Sequence, residues 1–515
     1  MIFIVDFGSQ TTHLIARRIK ELGAEVKIVT SQEILGPVQN DNHIKGIILS
    51  GGPASVYQKG APAVDPKIFE QGIPILGICY GLQLMARLLG GKVVSGRKEY
   101  GPAIIKFKIQ NSKFKITEDL PKSLVVWMSH GDEVVKLPKG FETIGSTEHV
   151  PFAFVGNLKR KIFGLQFHPE VEHTQHGLQI LKNFIGICDL ETGLKVQDKF
   201  KIQNLKFKIR EIVGEKEYVI GAVSGGVDST VAAVLTAKAV GKRFIPIYVE
   251  NGLMREGTKE HVKKIFAKFH SKPIVVNVVG EMVRRLKGVS DPEKKRKIIG
   301  SFYIEIFERE MKKLIRSGKK VQFLLQGTIY SDVIESKGTK HASKIKSHHN
   351  VGGLPKKMKL KLLEPLRHFY KDEVREIGKQ LSLPDEFIHK QPFPGPGYAI
   401  RIRGEVTKER LKKEKRADRI VLEELEKAGV LNSIFQSFPV LTGAYSTAVK
   451  GDGRLFGEVV ALRVLESKDI MTSKWSRLPY EVLQRISSRI VNEVPGISRV
   501  VYDITTKPPA TMEWE

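Results

Sequence analysis

The stretch Ile75–Gly90, "ILGICYGLQLMARLLG", decides how the first part of the chain folds. Its apolar start predicts a buried strand, and the later spacing of its apolar residues predicts a helix that stops at Gly90. A strand that turns at a glycine into a helix is the repeating unit of α/β proteins with parallel sheets. The glycines Gly77 and Gly81 bracket Cys79, so we expect a sharp turn that projects its thiol.

Similar segments surround this stretch. Strand-like runs ("MIFIVDFG", "AEVKIVT" and "HIKGIILSGGP") alternate with a helix-like run, "SQTTHLIARRIKELG". This alternation predicts a doubly wound, mostly parallel sheet with helices on both faces, within a domain of residues 1–190. The polar, weakly periodic stretch near 190–204 marks its end.

A second alternation starts with "EYVIGAVSGGVDSTVAAVLTAKAVG" and continues through "RFIPIYVENG", "KPIVVNVVG" and "KVQFLLQGTIYSDVIES". It predicts a second doubly wound domain over 191–390, with a basic lid at 338–360. The run "QPFPGPGYAIRI", 391–402, is rich in proline and glycine and predicts a hinge. Beyond it, a helix followed by strands predicts a smaller α+β domain, 391–515. The predicted class is therefore α/β, with two doubly wound domains and a C-terminal α+β domain.

Composition excludes several classes of protein. The 515 residues contain no run of eighteen apolar residues, so no membrane partner is expected. The start, "MIFIVDFGSQ", lacks the basic region of a signal peptide, and two cysteines make neither a disulfide framework nor a zinc site. We therefore expect a cytosolic protein. The net charge of +28 is spread along the chain, interrupted by acids and not interleaved with aromatics, which predicts no specific nucleic-acid partner.

The thiol at the turn has candidate partners for nucleophilic catalysis. A helix N-terminus stabilises a thiolate, which attacks carbonyl carbon. The segment "IFGLQFHPEVEH" predicts a strand end at which His168 and Glu170 face the same way, as a general base and its orienting acceptor. Backbone N–H groups of Gly52, in "LSGGP", and of Tyr80 are candidates for an oxyanion hole.

The motifs "GICYGLQLM", "SGGP" and "QFHPE" resemble those of class I glutamine amidotransferases. This family hydrolyses glutamine to glutamate and ammonia through a thioester. The resemblance implies that Cys79 is the nucleophile, His168 the general base and acid, and Glu170 the orienting carboxylate.

A second motif, "AVSGGVDST", predicts an anion site, because a glycine-rich loop here follows an apolar run and opens a helix. No Gly-Lys-Ser/Thr follows, so it is not a Walker A loop. It resembles the SGGxDS loop of N-type ATP pyrophosphatases, which adenylate a substrate oxygen and release pyrophosphate. That resemblance implies Mg²⁺ as cofactor near Asp228 and the following ATP-binding residues: Ser224, Gly225, Gly226, Val227, Asp228, Ser229 and Lys346.

The tail "RVVYDITTKPPATMEWE", with "QPFPGPG" and "GDGR", resembles the GMP synthetase family, and the resemblance covers essentially the full length. It implies that XMP, glutamine, ATP and water give GMP, glutamate, AMP and pyrophosphate, in a protein that is commonly a homodimer. Asp332, Glu335 and Lys346 resemble ATP and lid residues. The residues implied for XMP are Arg296, Gln436, Arg499, Lys507 and Glu513.

One stretch departs from the family pattern. Residues 441–450, "LTGAYSTAVK", stand where the family has a Val-Arg-Ser-Val-Gly-Val-Met run, so local contacts at a dimer surface should differ. Two other functions stay open from the residues alone. One is an amidating or thiolating pyrophosphatase that acts on tRNA, which the positive charge would suit. The other is a basic nucleic-acid-binding protein on a decayed enzyme fold.

Overall fold

The parallel strands of the N-terminal unit are short, and its two longest strands, β5 and β6, pair antiparallel. In this computed structural model they form one sheet in the order β2-β1-β3-β4-β9-β8-β7-β5-β6. The strands β2, β1, β3, β4 and β9 are parallel, and the remaining pairings are antiparallel. Their bounds are β1 Ile2–Asp6, β2 Val26–Thr30, β3 Gly46–Leu49, β4 Ile75–Ile78, β5 Lys92–Phe107, β6 Ser123–Lys136, β7 Glu142–Ser146, β8 Phe154–Asn157 and β9 Ile162–Leu165.

Alternate residues of β1 enter two separate cores, which confirms the doubly wound prediction. The helices are α1 Thr12–Glu21, α2 Leu35–Asn40, α3 Tyr80–Leu88 and α4 Gly177–Ile187. Ile2 and Ile4 pack with side chains of α1 and α4. Phe3 and Val5 pack on the opposite face with side chains of α2 and α3. Both faces of the parallel part are covered, as its uninterrupted apolar strands require.

The second unit is built on a wholly parallel sheet in the order β12-β11-β10-β13-β14. Its strands are β10 Tyr218–Ala222, β11 Phe244–Glu250, β12 Ile274–Asn277, β13 Val321–Leu325 and β14 Lys361–Leu363. Its helices are α5 Ile202–Val213, α6 Val227–Val240, α7 Thr258–Ala267, α8 Val279–Leu286, α9 Pro292–Arg316, α10 Lys371–Gln380 and α11 Asp385–Ile388. The strand order reverses at β10, and ligands of doubly wound sheets bind at such a point.

The third unit mixes strands with two helices, as the sequence predicts. Strand β16 pairs antiparallel with β15 and β17 and parallel with β18. The elements are α12 Lys408–Lys427, β15 Gln436–Lys450, β16 Gly453–Glu466, β17 Lys474–Trp475, α13 Tyr480–Glu493 and β18 Ile497–Tyr502. One core holds side chains of both this unit and the second, such as Ile420 and Ile220, and the segment 398–402 is buried in it.

No described helix combines the length and apolarity needed to cross a bilayer. The predicted lid, apart from residue 360, and the candidates Glu335 and Lys346 lie outside the described residues. The structure describes all of the chain except residues 10, 42, 109–112, 193–201, 270, 271, 331, 334–359, 451, 452, 468 and 469.

Candidate active sites

The turn between β4 and α3 places the Cys79 thiol at a helix N-terminus. Cys79 has φ 51° and ψ −106°, a conformation that non-glycine residues rarely adopt. The glycines two positions before and after Cys79 leave no room for a side chain. A Cβ on Gly81 would lie 2.2 Å from the backbone oxygen of Leu49, and one on Gly77 would lie 2.8 Å from the backbone of Gly81. The bracketing glycines therefore allow the strained turn that the sequence predicted.

His168 and Glu170 lie beside this thiol. The Nδ1 atom of His168 is 2.8 Å from Oε1 of Glu170, and the ring is close enough to Cys79 for the thiol to help raise the pKa of the imidazole. All three side chains are buried. The pair lies in a turn beyond the end of β9, not in an extended strand, so the strand geometry used to predict the pairing was wrong although the two side chains do meet.

The electrostatics of this triad favour a charged imidazole. Burial by itself lowers the pKa of His168, but the negative charge of Glu170 and hydrogen bonds to Cys79 and Glu170 raise it to about 10. The turn itself is fixed by Thr174, whose Oγ1 donates to the backbone oxygen of His168 at 2.6 Å. Arg18 of α1 donates to the backbone oxygen of Glu170 at 3.1 Å. The arrangement can deliver a thiolate and return a proton to a leaving amine.

The predicted oxyanion donors, Gly52 and Tyr80, are neighbours. A Cβ on Gly52 would lie 3.3 Å from Cγ of Tyr80, and one on Gly51 would lie 3.2 Å from Cε1 of His168. The N–H of Tyr80, the first residue of α3, has no acceptor within its own helix. Both backbone segments therefore lie at the thiol, where a negative oxygen would form.

Gln166 contacts the thiol and Gln83 contacts Gln166, and neither glutamine was singled out from the sequence. The amide nitrogen of Gln166 lies 3.7 Å from Sγ of Cys79, and that of Gln83 donates to the backbone oxygen of Asp132 at 2.7 Å. Gln83 is four residues after Cys79, on the same face of α3, and that spacing is the signal that could have identified it.

The loop between β10 and α6 forms the second candidate site, at the point where the strand order reverses. The hydroxyls of Ser224 and Ser229 are 2.9 Å apart, so the loop is closed by its own side chains. Gly225 has φ 79°, and a Cβ there would lie 2.5 Å from Thr258. Val227 is buried and begins α6 after Gly226, where no side chain caps the helix. The first N–H groups of α6 are thus directed at this loop.

Lys371 holds the acidic residue of this loop. Its Nζ lies 2.8 and 2.7 Å from the two carboxylate oxygens of Asp228. The two residues are 143 positions apart, so no local sequence pattern indicated the pairing. Of the other candidates here, Asp332 is described and accepts from the backbone N–H of Ile329 at 3.0 Å, which places it within the helical turn that follows β13.

The XMP candidates are only partly brought together. Gln436 donates to Glu513 at 2.6 Å, and Glu513 is held by a two-bond ion pair with Arg401, both bonds 3.1 Å. Arg296 pairs with Glu293 and with the backbone oxygen of Glu515, close to that tail.

The remaining two XMP candidates follow α13 in the third unit. Lys507 donates to the backbone oxygen of Ile470 at 2.7 Å. Arg499 is exposed on β18, and its side chain forms no hydrogen bond or ion pair with the residues that the structure describes. Arg401, which sequence reasoning missed, is fully buried and lies over Phe393 and Phe438.

Comparison with known families assigns each unit separately. Residues 3–187 match the family described as glutamine amidotransferase class-I. Residues 194–329 match the family described as NAD synthase. Residues 423–514 match the GMP synthase C terminal domain.

Full-length relatives carry one name. The protein of Aquifex aeolicus called GMP synthase [glutamine-hydrolyzing] is 50% identical over 516 residues, covering 100% of this chain and 99% of its own. Proteins of the same name from Bacillus cytotoxicus and Brachyspira hyodysenteriae are each 48% identical over 523 and 518 residues, with the same coverage. A solved glutamine amidotransferase of Thermotoga maritima is 22% identical, with a TM-score of 0.28, over 36% of this chain and 80% of its own.

Proposed function

The chain belongs to the glutamine-hydrolysing GMP synthase family, and on that premise we propose how its residues divide the work. The enzyme converts XMP to GMP with ATP and glutamine, and releases AMP, pyrophosphate and glutamate. One observation supports the division most directly: the Cys79 thiol, His168 and Glu170 form a buried triad in the unit that matches amidotransferases.

In the amidotransferase unit, Cys79 attacks the side-chain amide of glutamine. His168, charged and held by Glu170, gives a proton to the leaving ammonia and later activates water against the thioester. The N–H groups of Gly52 and Tyr80 stabilise the negative oxygen of the tetrahedral intermediate. Supporting this, the strained turn fixes the thiol before substrate arrives, so little reorganisation is needed.

In the second unit, the loop Ser224, Gly225, Gly226, Val227, Asp228 and Ser229 binds the phosphates of ATP. Mg²⁺ would neutralise phosphate charge there. The fit is good, because Mg²⁺ is usually held by one or two carboxylates together with substrate phosphates, and Asp228 supplies one carboxylate beside two hydroxyls. The cation that now pairs with Asp228 is Lys371, so the carboxylate already lies in a place that favours positive charge. Lys346 stays a candidate for the same ATP.

For XMP we propose Arg296, Gln436, Arg499, Lys507 and Glu513. Arginine and lysine suit the 5′-phosphate, and glutamine and glutamate suit ring or ribose groups. The Gln436–Glu513 contact supports a shared polar subsite. Since Arg296 and Lys507 now bond to backbone oxygens, nucleotide binding has to exchange those bonds.

We also propose the finer organisation: domains at 1–190, 191–390 and 391–515, a cytosolic location and a homodimer. The family matches and the three sheets support the division. Two free, buried cysteines suit a reducing compartment. An exposed apolar face on the β15–β16 hairpin supports dimerisation: Val449 is 78% exposed and Phe456 is 70% exposed.

The proposal for the phosphate loop is tested by Asp228→Ala. We expect XMP-dependent pyrophosphate release to fall at least about 100-fold with either glutamine or ammonium as nitrogen source, because Mg²⁺ would lose the carboxylate that holds it beside the phosphates. Asp385→Ala, at an exposed carboxylate at the start of α11, is the matched control and should keep full activity. Normal turnover of Asp228→Ala would show that this loop does not bind the phosphates.

A further inference from the structure

Lys390 places an ammonium group at the phosphate loop. It lies just beyond α11, and its Nζ is 3.5 Å from the backbone oxygen of Gly225, inside that loop. Its side chain is half-buried and lies over the ring of Phe387. Within the described part of the chain, no carboxylate lies within ion-pair distance of Lys390, and the one hydrogen bond of its ammonium group is the long contact to Gly225.

Two other cationic side chains, those of Lys371 and Arg255, are by contrast paired with carboxylates. Lys371 pairs with both oxygens of Asp228, and Arg255 forms a two-bond ion pair with Asp418. Burial, together with the positive charge of Arg255, lowers the pKa of Lys390 to about 8. Burying an ammonium group away from water without an opposite charge is unfavourable. An anion bound here would therefore offset the desolvation free energy that the ligand-free protein bears.

The position of Lys390 indicates which anion. Behind it lies the loop proposed for the pyrophosphate part of ATP. Ahead of it in the chain, Gln391 accepts from Ser437 at 3.0 Å, and Pro392 accepts from Gln436, an XMP candidate, at 3.5 Å. The group between pyrophosphate and an attacking XMP oxygen is the α-phosphoryl group. We propose that Lys390 contacts the α-phosphoryl group of ATP during adenylyl transfer, a proposal that rests on the function proposed above.

In that step, an oxygen of the xanthine ring forms a bond to the α-phosphorus. The bond from the α-phosphorus to the bridging oxygen breaks, and pyrophosphate leaves with the electron pair. The ring N–H proton of XMP goes to water. Lys390 keeps its protons and donates an N–H to a non-bridging oxygen whose negative charge it balances, so its contribution is electrostatic.

The test measures XMP-dependent exchange of labelled pyrophosphate into ATP, which needs no nitrogen source. We expect Lys390→Met to lower the kcat of exchange by about 100-fold or more while the KM for ATP changes by less than about threefold. Lys390→Arg should restore most of the rate. In the parent protein, the kcat/KM of exchange for ATP, which reports the ligand-free enzyme, should decline above about pH 8, and in Lys390→Arg this decline should move to higher pH.

Lys379→Met, at a half-exposed lysine of α10, is the matched control and should exchange at the parental rate. The melting temperature of ligand-free Lys390→Met should equal or exceed that of the parent, since an unpaired charge is removed. A lower melting temperature, or parental exchange by Lys390→Met, would overturn the proposal. A parent protein with no XMP-dependent exchange would overturn the proposed function as well, which separates the two failures.

Discussion

At the scale of single residues, the triad depends on one buried pair. His168 and Glu170 are both shielded from water. Burial alone would lower the pKa of the imidazole, but Glu170, at an Nδ1–Oε1 distance of 2.8 Å, acts together with Cys79 to raise it to about 10. A folded-state pKa above the ordinary value of 6.5 adds stability that is fully present below pH 6.5 and is lost as the pH rises through about 10. The catalytic pair is therefore also a pH-dependent stabilising contact.

Glu170→Gln should remove both effects. We expect glutamine-dependent GMP formation to fall by about 10²–10⁴-fold, because the imidazole loses its charge partner. The free energy of unfolding of the amidotransferase unit should fall by about 3 kcal/mol at pH 6, and this difference should shrink towards pH 10. Calorimetry between pH 6 and pH 10, with assays on glutamine, measures both quantities.

The exposed Glu172, two residues further along the same turn, provides the control Glu172→Gln. It should keep most of the activity and the parental slope of stability against pH. A Glu170→Gln variant whose stability differs from the parent by the same amount at every pH would contradict the assigned protonation state of His168.

At the scale of elements, the passage from β4 to α3 depends on close backbone packing. The N–H of Gly81 donates to the backbone oxygen of Ser50, and no space remains for a side chain on Gly81. In α4, by contrast, a Cβ on Gly186 would meet no atom within 4 Å. The same substitution should therefore have opposite effects in the two helices.

Gly81→Ala is expected to destabilise the amidotransferase unit by about 1–3 kcal/mol and to displace the thiol, because its Cβ overlaps the backbone at Leu49. Gly186→Ala is expected to be neutral or to stabilise by up to about 1 kcal/mol through helix propensity. Thermal unfolding of both variants checks this. Equal melting temperatures for the two would mean that the turn tolerates a side chain at Gly81.

The elements that could be predicted from the sequence are those whose determining residues lie close together in the chain. The strand, turn and helix around Cys79 are encoded within sixteen residues, and the phosphate loop within nine, so local patterns predicted both. The antiparallel extension through β5 and β6 was not predicted. Their pairing joins residues as far apart as Lys92 and Lys136, and alternation within one strand does not show its partner.

At the scale of the whole molecule, contacts between units lie next to the proposed sites. Arg17 of α1 forms an ion pair with Asp372, whose neighbour Lys371 holds Asp228 of the phosphate loop. His173, in the turn after Glu170, contacts Thr472 of the third unit at 2.8 Å. These partners are hundreds of positions apart, and this is why the sequence indicated the separate sites but not the residues that connect them.

The proposed homodimer makes a prediction about the β15–β16 hairpin. Tyr445 stacks on Phe456 with ring centroids 5.5 Å apart, and Val449 lies further along the same face of β15. Phe456→Lys combined with Val449→Lys should convert a dimer into monomers, since buried apolar area would be replaced by like charges. Light scattering after size-exclusion chromatography measures this.

Phe207→Lys, at an exposed apolar residue of α5, is the control and should leave the mass unchanged. A parent protein that is monomeric, or a double variant that stays dimeric, would rule out this hairpin as the interface.

The central claim is that nitrogen is released at Cys79 and used at a separate ATP-dependent centre. The most direct measurement is GMP formation by Cys79→Ala with XMP, ATP and Mg²⁺, given either glutamine or ammonium. We predict no detectable GMP from glutamine and a parental rate from ammonium, because the phosphate loop and the XMP residues are unchanged. GMP formation from glutamine by this variant, or its loss with ammonium as well, would contradict the claim.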